Sequence, residues 1–92
     1  MDSKTLDIIS ARLKEKGATS VLLVGSHARN QAGPGSDIDL IVQFKERKSL
    51  LEIIRIEREL SEELGTRIDL LTRKSINPLI LESMEKDKVV VV

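Results

Sequence analysis

Cysteine is absent from the 92-residue chain, so it carries no disulfide framework and no thiolate zinc site. Tryptophan and tyrosine are absent too, and Phe44 is the only aromatic residue, which excludes a stacking platform for nucleobases. There is no surplus of either charge: 15 Lys and Arg balance 15 Asp and Glu. A general nucleic-acid binder needs a basic excess to neutralise phosphates, and a polybasic membrane anchor needs one too. No run of 18 apolar residues exists that would cross a membrane. The opening MDSKTLD carries acids and no apolar stretch, so no secretory signal is expected. Internal repeats, low-complexity segments and linkers are also missing. What remains is a 40 % hydrophobic chain of single-domain length, residues 1–92. The expectation is a soluble, cytoplasmic globular protein with a small core.

The apolar pattern alternates between helical and strand periods. Asp2 or Ser3 caps a first helix whose Leu6, Ile9 and Leu13 share a face, with Gly17 as its stop. Residues 19–24 read as a buried strand. The stretch from Gly25 to Gly35 holds three glycines and Pro34, with room for a short helix over 26–31. Residues 36–44 alternate with period two. Ile38, Leu40, Val42 and Phe44 face one side, and Asp37, Asp39, Ile41 and Gln43 the other, which assigns Phe44 to the core.

The longest helix spans 49–64, with Leu50, Ile53, Ile54, Leu60 and Leu64 as its stripe. Arg55–Glu59 and Arg58–Glu62 are expected as pairs four apart on its solvated side. A third strand covers 67–71, with Asp69 and Leu71 on one face. Pro78 opens a last helix running to about Lys86, and residues 88–92 form a terminal strand able to pair across a two-fold. Alternating strands and helices call for a two-layer α+β (α/β) fold, a small mixed sheet with helices mainly on one face. The helix between the second and third strands is long enough for a crossover, so those strands can be parallel neighbours.

The chemistry lies in two places. Asp37 and Asp39 project together from one strand face, their Cα atoms about 6.5–7 Å apart. Asp is a poor strand former, and clustered carboxylates are costly without partners. Hard oxygen ligands of like charge at that spacing suit divalent cations, above all Mg²⁺. Asp69 interrupts the next aliphatic strand in the same way. If the two strands are adjacent, three carboxylates converge and can hold two metals, as in two-metal phosphoryl chemistry. Upstream, Val24 leads straight into Gly25-Ser26 and a short helix, whose free backbone N–H groups and Ser hydroxyl make an anion site. Arg29 follows three residues into that helix. Taken singly, each feature has a plainer reading: a D-x-D is commonly a turn cap, a Gly-Ser after a strand a tight turn. It is their conjunction that points to a site.

The run GSHARNQAGPGSDIDLIV resembles the DNA polymerase β-type nucleotidyltransferase superfamily, and most of all its minimal nucleotidyltransferases. Gly25-Ser26, ten intervening residues, Asp37-Ile38-Asp39 and a third Asp on a later strand carry the likeness along the whole chain. One departure is visible: Asn30 stands where the family has Gly after Ala-Arg. Asn tolerates left-handed backbone best among other residues.

The resemblance implies ATP as co-substrate, with Gly25 and Ser26 at the β- and γ-phosphates and Arg29 and Ser36 beside them. Asp37 and Asp39 would hold the Mg²⁺ of the triphosphate, and Asp37, Asp39 and Asp69 a second Mg²⁺. Asp69 would help take up the proton of an acceptor hydroxyl. His27 is read as a solvent-facing loop residue. The family further implies a HEPN-type helical toxin as partner, with this chain as antitoxin transferring AMP onto it, in a homodimer or hetero-oligomer. Two other readings stay open. One is a binding module that neutralises its partner by occlusion. The other is a nucleotidyltransferase acting on a small molecule. With so little aromatic surface, base recognition rests on aliphatic and backbone contacts.

Overall fold

The computed structural model describes residues 2–29, 31, 33 and 35–92. Helix α1 (Ser3–Glu15) precedes strand β1 (Ala18–Val24), the single-turn helix α2 (Gly25–Ala28) and β2 (Ile38–Phe44). Helix α3 (Leu50–Leu64), β3 (Ile68–Thr72), a 3₁₀ turn (Arg73–Ser75), α4 (Pro78–Glu85) and β4 (Val89–Val90) follow. The α+β expectation is met by a four-stranded mixed sheet of order β3-β2-β1-β4. Its β2 and β3 run parallel, while β1 is antiparallel to both β2 and β4.

Local chemistry explains the element ends. The Asp2 carboxylate caps α1 by accepting from the Thr5 N–H at 2.8 Å. Ser49 and Glu52 form a reciprocal capping box at the start of α3. Gly65, at φ 63°, closes α3 in the left-handed conformation that side chains disfavour. Asn77 caps α4, and Pro78 occupies its first turn, where a missing N–H costs nothing.

Most of the core lies on one sheet face. Ile9 and Leu13 of α1 and Ile53, Ile56 and Leu60 of α3 cover Val21, Leu23, Ile38, Leu40, Val42, Ile68 and Leu70. Phe44 packs at the rim of this cluster, as its strand period predicts. Burying each such Leu or Ile is worth about 1.5–3 kcal/mol. The α3 stripe differs from expectation: Ile56 is buried, whereas Leu50 is 74 % and Ile54 45 % exposed. Positions 53, 56 and 60 follow the 3.6-residue period against the sheet, and Ile54 falls to the side of that line. On the reverse face, Leu22, Val24 and Ile41 meet Ile76, Leu81 and Met84, which seats α4 there.

The charged pairs also differ from expectation. Among the described residues, Arg55–Glu59 and Arg58–Glu62 are not paired. Glu63 instead binds Arg12 of α1 at 2.9 Å, and Glu59 meets Lys16 at 3.6 Å. Glu57 is likewise not a free surface acid. Its Oε2 accepts the Leu70 N–H at 2.8 Å, and Ser61 Oγ accepts the Ile68 N–H at 3.0 Å. These N–H groups point away from β2 along the sheet's outer edge, so α3 closes an edge otherwise open to pairing. The terminal strand is shorter than expected. Val89 and Val90 pair with Leu23 and Leu22 at the other sheet edge, while Val91 and Val92 pack on the core.

Candidate active site

The parallel pairing of β2 with β3 brings the acids together. Asp39 and Asp69 are register partners, flanked by Ile38 with Ile68 and Leu40 with Leu70. The aliphatic neighbours are buried, which fixes the alternation and turns both carboxylates to the opposite face. Asp37 lies one residue before β2 rather than within it. Its carboxylate joins Asp69 through Arg67, whose Nε is 3.9 Å from Asp37 Oδ2 and 3.5 Å from Asp69 Oδ1. Arg67 is an addition to the residues expected at the site; it stands two residues before Asp69 and so shares its face by strand period.

Across β2, Val24 pairs with Asp39, so the chain turns into α2 directly beside that carboxylate. Gly25 takes φ 74°, and a Cβ at this position would lie 2.5 Å from Asp39 Oδ2. Glycine is therefore required twice, for its backbone conformation and for the space it leaves. The α2 turn supplies N–H groups without intrahelical acceptors beside the acids.

Asp39 is half-buried, and burial is the chief cause that raises its carboxyl pKa above the ordinary value. The neighbouring Asp69 and Asp37 carboxylates push it the same way, and His27 partly opposes them. Ionised Asp39 is thus short of positive charge. Among the described residues, no three Asp, Glu or His side chains already stand as a preformed metal cage. The donor set is nonetheless one of hard oxygens gathered on one face, with a cation, Arg67, drawn between two of them. Those features fit a divalent ion.

The remaining predicted residues are placed as follows. Gly25 and Ser26 open α2, half-buried beside β2. Ser36 Oγ accepts the Gly33 N–H at 3.0 Å and so braces the loop before β2. Arg29 is exposed, its Nε donating to Gln31 Oε1 at 3.2 Å rather than to an acid. His27 is not solvent-facing: it is half-buried, and its ring N–H donates to the Ser36 carbonyl at 3.2 Å, tying α2 to the approach of β2. Asn30 and Pro34 lie outside the described residues. A cleft of about 220 Å³ beside His27 and Ser36 is lined by none of the three acids.

A family model described as "Nucleotidyltransferase domain" matches residues 3–91. The protein adenylyltransferase MntA of Thermococcus cleftensis is 34 % identical over 88 residues, covering 91 % of this chain and 89 % of the relative. A Methanocaldococcus jannaschii chain provisionally named a protein adenylyltransferase is 42 % identical over 77 residues, 84 % of this chain and 83 % of its own. Among solved structures, one described as a candidate minimal nucleotidyltransferase superposes with TM-score 0.78 at 33 % identity, covering 97 % of this chain and 95 % of that one. The MNT antitoxin complexed with the tri-AMPylated HEPN toxin of Shewanella oneidensis shares the fold at TM-score 0.82 and 16 % identity, over 100 % of this chain and 72 % of that one. With the family model matched almost end to end, over residues 3–91, the chain belongs to the nucleotidyltransferase domain family.

Proposed function

We propose that this protein transfers AMP from ATP to a hydroxyl of a HEPN-type helical partner, releasing pyrophosphate, and that it acts as the antitoxin of that pair. The observation that carries the reading is the Asp39–Asp69 register beside Gly25. The names of the relatives, and the AMPylated HEPN toxin in the Shewanella complex, support the choice of nucleotide and acceptor. Asp37, Asp39 and Asp69 are the residues that would hold two Mg²⁺ ions. When bound, these ions would neutralise charge on the attacking and leaving oxygens and make the acceptor hydroxyl more acidic.

The chain's own groups do the rest. Gly25 lets the triphosphate approach the backbone, and Ser26 with the first α2 N–H groups binds its β- and γ-phosphate oxygens. Arg29, exposed at the end of α2, would exchange Gln31 for the same phosphates. Ser36 and His27 hold the loop that fixes α2 against β2. The acceptor oxygen bonds to the α-phosphorus as the bond from that phosphorus to the β-phosphate oxygen breaks. Its proton passes to Asp69, and pyrophosphate leaves. Holding the two reactants in line supplies much of the acceleration.

Neutralisation by occlusion alone would leave three like-charged side chains, one half-buried at an electrostatic cost, without a purpose. The Asp39→Asn variant separates the two readings. Under the catalytic reading it binds the partner and fails to neutralise it. Neutralisation as complete as wild type would refute that reading.

A further inference from the structure

The zero net charge conceals a separation along the strands. The acids sit where β2 and β3 begin. Four to six residues on, about 13–20 Å away at strand rise, the loop after β2 begins with Lys45 and carries Arg47 and Lys48, and the turn after β3 begins with Arg73 and carries Lys74. Between these segments runs a groove of about 890 Å³, walled by the five cations and a single acid, Glu46, over a floor that includes Leu70 and Leu71.

Lys48 is engaged by Glu52 at 3.9 Å and Arg73 by Glu85 at 3.0 Å. Lys45, Arg47 and Lys74 are exposed and lack a carboxylate partner among the described residues. The adjoining start of α3 is apolar on its outer side. Leu50 and Leu51 are 74 % and 75 % exposed, and Ile54 continues the strip at helical spacing. One turn further, Arg55 and Arg58 follow on the same side, also without carboxylate partners among the described residues.

We infer that this groove and the outer face of α3 form a docking surface for an acidic amphipathic helix of the protein that accepts AMP. The groove's cations, the three exposed aliphatic side chains at the adjoining start of α3 and the arginines that follow them are together complementary to a helix with apolar residues at i, i+3 and i+4 flanked by Asp or Glu. A phosphate backbone would satisfy the cations but would strand the aliphatic strip, and Phe44, the one aromatic residue of the groove, packs on the core rim with Lys48 over its ring at 5.6 Å. A second copy of the chain would bring like charges face to face. The surface lies at the far end of the sheet from the acids, so docking and chemistry are separable. The identity of the partner rests on the function proposed above; the location of the surface does not.

The test measures the affinity of the HEPN-type partner, by surface plasmon resonance at low and moderate salt, for the full chain and three variants. Lys45→Glu with Arg47→Glu should weaken binding by about tenfold or more and flatten its salt dependence. Leu51→Ser with Ile54→Ser, at exposed positions the fold does not need, should weaken it comparably with the salt dependence retained. Asp39→Asn should bind as wild type does. Unchanged affinity in both surface variants, or no binding by wild type, overturns the inference. So does a single-stranded RNA oligonucleotide that binds wild type, loses affinity in the charge-reversed variant and displaces the partner. If the surface variants bind weakly while wild type adds no AMP to the bound partner, the docking surface stands and the proposed reaction fails.

Discussion

Asp39 of β2 stands directly opposite Asp69 of β3, two acids in register on adjacent parallel strands. Like charges so placed oppose folding. Burial and these neighbours raise the Asp39 pKa above its unfolded value. A carboxyl with a raised folded pKa binds more protons in the native state. Stability therefore falls as pH rises from the unfolded value, near 3.8, through the folded one. The metal-free Asp39→Asn variant is expected to melt at or above the wild-type temperature at pH 7, and the difference should vanish on acidification. Thermal melts from pH 3 to 7 in chelator check this. A variant clearly less stable than wild type at neutral pH would contradict it.

Gly25→Ala should damage function more than folding. The left-handed backbone costs a non-glycine residue about 1–2 kcal/mol, and the new methyl must displace the Asp39 carboxylate. A melt a few degrees lower is expected, with AMP transfer reduced by about a hundredfold or more, since a misplacement near 1 Å carries that penalty. Comparing melts with transfer rates measures both.

Arg67 pairs with Asp37 and Asp69, two of the three acids of the proposed divalent-cation site. Arg67→Gln removes that competitor. Titration calorimetry with Mn²⁺ or Mg²⁺ and no nucleotide should show tighter binding, by roughly threefold to tenfold for the loss of one nearby like charge. Equal or weaker metal binding in the variant would show that the pairing does not compete.

Glu57 and Ser61 satisfy two outward N–H groups that flank Asp69 on β3. Leaving the Leu70 N–H without its acceptor costs about 1–3 kcal/mol. Glu57→Ala should lower stability by that amount and accelerate amide exchange at Leu70 more than at Leu40 on the adjacent inner strand. Equal protection at Leu70 in both proteins would show that the edge bond is dispensable.

The parts legible in the sequence were those with short-range causes. Period-two alternation set Asp37 and Asp39 against Ile38 and Leu40, and a crossover-length helix put Asp69 on the neighbouring strand. Gly25 stood out as the residue ending an aliphatic strand. Other features needed the assembled sheet. Strand period puts Arg67 on the face of Asp69, but its bridge from Asp69 to Asp37 depends on the pairing of β2 with β3. Glu57 gives no signal in the sequence because its partner is a backbone N–H thirteen residues away. Leu50 and Ile54 join the apolar stripe in the sequence because hydrophobicity alone does not say which helix positions meet the sheet. Nothing near His27 in the sequence announces its partner, because the Ser36 carbonyl lies across a loop.

The most direct test of the catalytic account is intact-mass measurement of the HEPN-type partner after incubation with this protein, ATP and Mg²⁺, run beside the Asp39→Asn and Asp69→Asn variants. The account predicts a gain of one or more AMP units on the partner with wild type, and none with either variant or in chelator. A partner that gains no AMP with wild type, or gains as much with the Asn variants, would contradict it.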